Sequence, residues 1–112
     1  MGVRSKQLGG TNNIGTTSTL CYTVESGETT LLKSISLYNR HATATAVVTI
    51  GRGTAGVTNN GTMFRVSMPP STHAYIECWI VLAAGATVSA ISDTATAVSM
   101  YMSGAELEGA AD

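Results

Sequence analysis

This sequence is short of charge. Asp, Glu, Lys and Arg make up 12% of its 112 residues, about half the share of an ordinary soluble domain. A free monomer keeps a mixed-charge surface for solubility, so a chain without one is expected to cover much of its surface with neighbouring subunits. The six basic and seven acidic residues leave a net charge of −1. With no basic stripe, no nucleic-acid partner is expected. Apolar runs fall well short of the roughly 18 residues of a membrane span, so no membrane partner is expected. The stretch Met1 to Lys6 lacks the apolar segment of a secretory signal, and none is expected.

Reactive residues are equally scarce. The two cysteines, Cys21 and Cys78, are too few for a disulfide framework. Neither has a neighbouring base or positive field to activate it as a nucleophile, and both thiols are expected to be free. His41 and His73 stand alone in turn-like stretches, without the nearby His or Cys of a zinc site. No metal and no other cofactor is expected. Glu25 and Glu28 share a turn, Glu77 sits in mid-strand and Asp93 in a hairpin turn; nothing sets two carboxylates across one bond as glycoside hydrolysis requires. Gly51-Arg52-Gly53-Thr54-Ala55-Gly56 has the glycines of a phosphate loop, but a strand follows it rather than a helix carrying Lys and Ser/Thr. No catalytic residue emerges, and the chain is not expected to be an enzyme.

What the sequence does contain is period-two alternation broken by turn residues, the signature of strands. Residues 1–15, rich in Gly, Asn and Thr, are expected to form a flexible N-terminal arm, with Arg4 and Lys6 as anchors for acidic partners. Residues 16–112 are expected to form the folded domain. In it, Thr17 to Val24 puts Leu20, Tyr22 and Val24 on one face and Cys21 on the other. Thr29 to Asn39 aligns Leu31, Ile35 and Leu37, with Lys33 interrupting. Thr43 to Ile50 aligns Ala44, Ala46, Val48 and Ile50. Gly51 to Gly61 reads as a loop. Met63 to Met68 aligns Phe64, Val66 and Met68 and stops at Pro69-Pro70. Ala74 to Leu82 is the strongest segment: Ile76, Cys78, Ile80 and Leu82 face one way, Tyr75, Glu77, Trp79 and Val81 the other. Ala86 to Ser92 and Ala95 to Ser103 form a last pair, with Val98, Met100 and Met102 on one face. Ala105 to Ala111 offers only a short, marginal helix in an acidic tail. The fold class is therefore all-β: an antiparallel two-sheet sandwich of seven or eight strands, jelly-roll-like or immunoglobulin-like.

One constellation stands out. Tyr75, Trp79 and Val81 line the non-core face of the strongest strand, and Tyr101 and Tyr38 have matching outward parity on others. An exposed aromatic patch of this kind marks an interface; the alternative is that this face is itself core.

Three stretches give the chain a likeness to a known group: LLKSISLYNRHATATAVVTIGRG (Leu31 to Gly53), the turn Leu82-Ala83-Ala84-Gly85-Ala86-Thr87-Val88, and the closing Val-x-Met-x-Met-x-Gly-x-Glu-Leu from Val98 to Leu107. In these it resembles small β-sandwich structural proteins of tailed bacteriophages. The resemblance implies a virion structural protein, first of all a minor capsid protein decorating the outside of the head and reinforcing contacts between subunits. Its partners would be the major capsid protein or other virion subunits, with a homo-oligomer, trimer or ring, made in the host cytoplasm and located in the phage particle. A tail-side role, as head–tail adaptor or fibre domain, is the nearest alternative. From another class comes a carbohydrate-binding module using Tyr75, Trp79 and Tyr101.

Overall fold

The computed structural model of the chain describes residues 3–11, 13–17, 19–53 and 62–108. They form eight strands: β1 (Val3–Thr11), β2 (Thr19–Thr23), β3 (Glu28–Asn39), β4 (Ala46–Arg52), β5 (Thr62–Met68), β6 (His73–Leu82), β7 (Thr87–Ser92) and β8 (Val98–Glu108). No helix occurs among the described residues. The strands make two antiparallel four-stranded sheets, ordered β1-β8-β3-β6 and β2-β7-β4-β5.

This order has a simple logic. β1 pairs with β8, β2 with β7, β3 with β6 and β4 with β5, the nested ladder of one long folded hairpin. Curling the hairpin adds β3–β8 and β4–β7. That is the strand order of an eight-stranded jelly roll, which decides between the two sandwich types the sequence left open.

The core between the sheets follows the alternation where strands are regular. Ala46, Val48 and Ile50 of β4 and Val98, Met100 and Met102 of β8 are fully buried, as their spacing requires. Bulges shift the phase elsewhere. In β3 the register slips between Leu32 and Ser34 against both neighbours, so Leu32 is buried and Leu31 only half-buried, although the alternation assigned Leu31 to the core face. In β2 the slip falls between Leu20 and Tyr22. Cys21, expected outward, is buried there, while Leu20 is 54% exposed. A bulge places two residues against one and breaks strict alternation.

Two further expectations change. The segment read as an arm is strand β1 over residues 3–11, running antiparallel to β8 from Val3↔Leu107 to Thr11↔Met100. Its few apolar residues are well placed: a bulge between Gln7 and Gly9 accompanies the burial of Leu8, and Ile14 beyond it is fully buried. At Gly9 a Cβ would stand 2.6 Å from the Cys21 carbonyl oxygen, so only glycine lets β1 pass this close to β2. The tail read as a marginal helix is strand as far as Glu108, and residues 109–112 lie outside the described ones. Of the stretch read as a loop, Gly51 and Arg52 end β4 and residues 54–61 lie outside the description.

Asn39 ties the strand ends together. Its buried amide donates to the carbonyls of Ala44, Met68 and Pro69 at 3.0, 3.0 and 3.2 Å and accepts from the His41 amide at 3.0 Å. His41 Nδ1 in turn accepts the amides of Thr43 and Ala44. That histidine shapes a turn.

Candidate interaction surface

The candidate site is the outer face of the β1-β8-β3-β6 sheet. β6 is an edge strand, and its side chains alternate cleanly: His73, Tyr75, Glu77, Trp79 and Val81 are exposed, while Ala74, Ile76, Cys78 and Ile80 are half-buried and Leu82 is buried. Tyr75 is 65% exposed, Trp79 71%, Val81 59%, and Tyr101 on β8 44%. The alternative that these residues are core is thereby removed.

Cross-strand register draws them into one surface. Ser36 of β3 sits between Tyr75 on β6 and Tyr101 on β8, so a small side chain separates two rings. One row along, Tyr38 is opposite His73 and the rings stack at 4.4 Å between centroids. Val81 is opposite Leu31. Lys33, at the β3 bulge, holds its Nζ 5.5 Å from the centre of the Trp79 ring, within cation–π range. A shallow depression of about 300 Å³ at the Tyr38 end is lined by Ser36, Tyr38, His73, Ser99 and Tyr101. Five expected residues, Tyr75, Trp79, Val81, Tyr101 and Tyr38, thus share one sheet. Arg4 and Lys6 belong to β1 of that sheet, in register with Glu106 and Gly104, and the surroundings of their side chains lie outside the description.

Around the β6 edge the surface stays apolar. The two sides of the sandwich differ in degree: between β1 and β2, Leu8, Ile14 and Cys21 are buried, whereas along β5 and β6 Met68 and Leu82 are buried but Met63, Phe64, Val66, Ile76, Cys78 and Ile80 are half-buried against the core. Among the described residues, the core is less completely covered along β5 and β6 than along β1 and β2.

A part-buried polar cluster, with no signal in any local pattern, links β2, β3 and β8. Tyr22 donates to Glu106 Oε2 at 2.7 Å and shares a 2.7 Å hydrogen bond with Thr30. Its phenol has one proton, which goes to the carboxylate, so Thr30 is the donor in the second bond. Burial foremost, with Glu106 and Glu28 adding to it against the Thr30 bond, pushes the Tyr22 phenol up to about 12. Burial likewise pushes the Cys21 thiol up to about 11, partly offset by a hydrogen bond from the Ala90 backbone, and raises the Cys78 thiol. Both cysteines are free thiols. At neutral pH they stay protonated, the opposite of what a nucleophile needs. No cluster of three or more His, Cys, Asp or Glu side chains able to hold a metal occurs among the described residues.

The strand order and the exposed side chains together define a jelly-roll sandwich with an exposed aromatic and aliphatic face on one sheet. Comparison with protein-family models, with curated proteins and with solved structures finds no match to the chain.

Proposed function

We propose that this protein is a non-enzymatic structural subunit that works by binding other protein subunits through the outer face of the β1-β8-β3-β6 sheet. The observation behind this reading is the aromatic and aliphatic surface of Tyr75, Trp79, Val81 and Tyr101, 44 to 71% exposed on one sheet. Large apolar side chains gathered on one sheet, unlike ones scattered singly, are the kind of surface that marks an interaction site. Tryptophan and tyrosine are the residues most enriched at the centres of protein interfaces. The phage-like stretches of the sequence make the particle of a tailed phage the proposed setting, and the outside of the head the proposed station. There each copy would contribute the burial of apolar area, at about 25 cal/mol per Å² before the entropic costs of binding, repeated over the shell. The jelly roll suits the proposal, since it serves in viral capsid domains, but it also serves in lectins, so the fold does not carry it.

The test is attachment. Purified protein is mixed with phage particles lacking it, and copies bound per particle are counted after sedimentation. Saturation at a fixed multiple of the head symmetry, lost on Trp79→Ala, is expected. A few copies per particle would shift the assignment to the neck or tail, and no attachment would refute it. One observation favours a second reading, a carbohydrate-binding module: the depression beside Tyr38, His73 and Tyr101 offers ring faces and hydroxyls. A glycan array answered by the wild type but not by Tyr101→Ala would select it.

A further inference from the structure

We infer that β6 is the self-association edge of this protein, and that a second copy pairs with it antiparallel about a two-fold axis through Cys78, joining two four-stranded sheets into one of eight strands. The inference rests on the reading above that this sheet is a contact surface, and it names the partner: the same chain.

The first observation is how little guards this edge. Sheet edges are blunted by proline, lysine, short length or bulges. β6 is ten residues long, without proline or lysine, and Glu77 is its one carboxylate or fixed charge. Among the described residues, its protection is one irregularity, where Cys78 and Trp79 stand against Lys33 alone. It carries apolar side chains on both faces, Tyr75, Trp79 and Val81 outside and half-buried Ile76, Cys78 and Ile80 inside. A second strand laid along β6 would pair its backbone edge, cover the outer aromatics from the side and bury the exposed parts of Ile76, Cys78 and Ile80.

The second observation is register. Residues directly opposite in an antiparallel pair point to the same face, so a symmetric pairing must centre on one residue of β6. Only two centres engage nearly the whole strand, Glu77 and Cys78. Centring on Glu77 sets that carboxylate against its own copy, which is unfavourable. Centring on Cys78 places Glu77 opposite the second copy's Trp79, Ile76 opposite Ile80, Tyr75 opposite Val81 and Ala74 opposite Leu82. Every inward pair is then apolar. Each Glu77 comes beside a Trp79 ring whose other neighbour is Lys33, so the charges on this face meet with opposite sign, twice, across the axis. Complementarity of the strand with itself is what selects a second copy over an unrelated partner. The contact is isologous, and it puts a dimer in place of the closed trimer or ring expected from composition and resemblance.

The experiment uses the full chain without any particle. Sedimentation velocity over roughly 1 to 100 µM, the range suited to an interface at the small end of the specific class, is expected to show a reversible monomer–dimer equilibrium. A short bis-maleimide in mildly alkaline buffer should trap a covalent dimer in wild type and in Cys21→Ser, and none in Cys78→Ser. Glu77→Lys should weaken dimerisation about tenfold or more by facing Lys33 with a like charge, and Lys33→Glu in the same chain should restore it. A monomer throughout, a trimer or larger ring, a cross-link through Cys21, or a dimer indifferent to both charge changes would overturn the inference. The two readings fail separately. A monomer that still attaches to particles sinks the dimer and leaves the attachment role, while a Cys78-linked dimer that attaches to nothing does the reverse.

Discussion

Truncating Trp79 to alanine separates contact from core on a single side chain. A tryptophan presents about 250 Å² of surface, and Trp79 leaves 71% of its surface exposed. Roughly 70 Å² is therefore covered by the subunit itself and roughly 180 Å² is open to a partner. At about 25 cal/mol per Å², the covered part is worth about 2 kcal/mol. An unfolded chain that already hides some of that area reduces it, and the exposed Lys33 cation–π contact adds back about 0.5 to 1 kcal/mol. Subunit stability should fall by about 1 to 2 kcal/mol. The open part, once covered, is worth about 4.5 kcal/mol by the same coefficient, which places Trp79 among interface hot spots. The assay pairs urea unfolding of the dilute, monomeric subunit with particle attachment of the same variant. A subunit loss of 3 to 5 kcal/mol, the size of a hollowed core, would refute the assignment of Trp79 to a contact surface. So would attachment that is unchanged.

Other outcomes follow from the interior. Leu32→Ala should cost about 2 to 5 kcal/mol by opening a cavity, whereas Leu31→Ala should cost about 1 kcal/mol; equal costs, read by chemical denaturation, would mean the β3 bulge is misplaced. Stability should fall in alkali. The Cys21 and Tyr22 pKa values are raised on folding, from 9.0 to about 11 and from 10.0 to about 12, so between those limits the unfolded chain has lost protons the folded one keeps. Stability is then whole below pH about 9 and declines as pH rises towards 11, by about 2 to 3 kcal/mol for a two-unit shift at Cys21. Unfolding midpoints that stay level from pH 8 to 11 would contradict it. Cys21 should also react with a thiol reagent at neutral pH far more slowly than in the unfolded chain, as its burial and raised pKa require; equal rates would show that it is not buried.

The outward face of β6 was legible because ten consecutive residues keep one period and the strand lies at an edge, with solvent on one side and core on the other. β4 and β8, central in their sheets, are legible for the regular spacing alone, which their buried sets follow. Leu31 and Cys21 were misread for one reason: a bulge changes the phase of a strand without changing residue chemistry, and neither Lys33 nor Cys21 announces one. β1 was missed because Gly, Ser and Gln at an edge look like linker, and what makes them strand is the backbone of β8, far away in sequence. The Tyr22–Thr30–Glu106 cluster joins three strands, β2, β3 and β8, and no local pattern could assemble it. Composition suggests a surface covered by neighbours, but which edge is the less completely buried one depends on the strand order, which no local pattern carries.

The nested pairing also orders events in time. β4 and β5 are joined by the shortest loop of any paired strands, whereas β1 and β8 bring together residues from opposite ends of the chain. Closing a loop costs more the longer it is, but once β4 and β5 are paired, β3 and β6 are held near each other, then β2 and β7, then β1 and β8. Folding is expected to zip outward from the β4–β5 hairpin and, with so many distant contacts, to proceed on the slow side for a domain of this size. Substitutions in β4 or β5 should slow refolding in stopped-flow measurements, while those in β1 should mainly speed unfolding. The strand beside the chain's beginning would then be the last to lock and the first to let go.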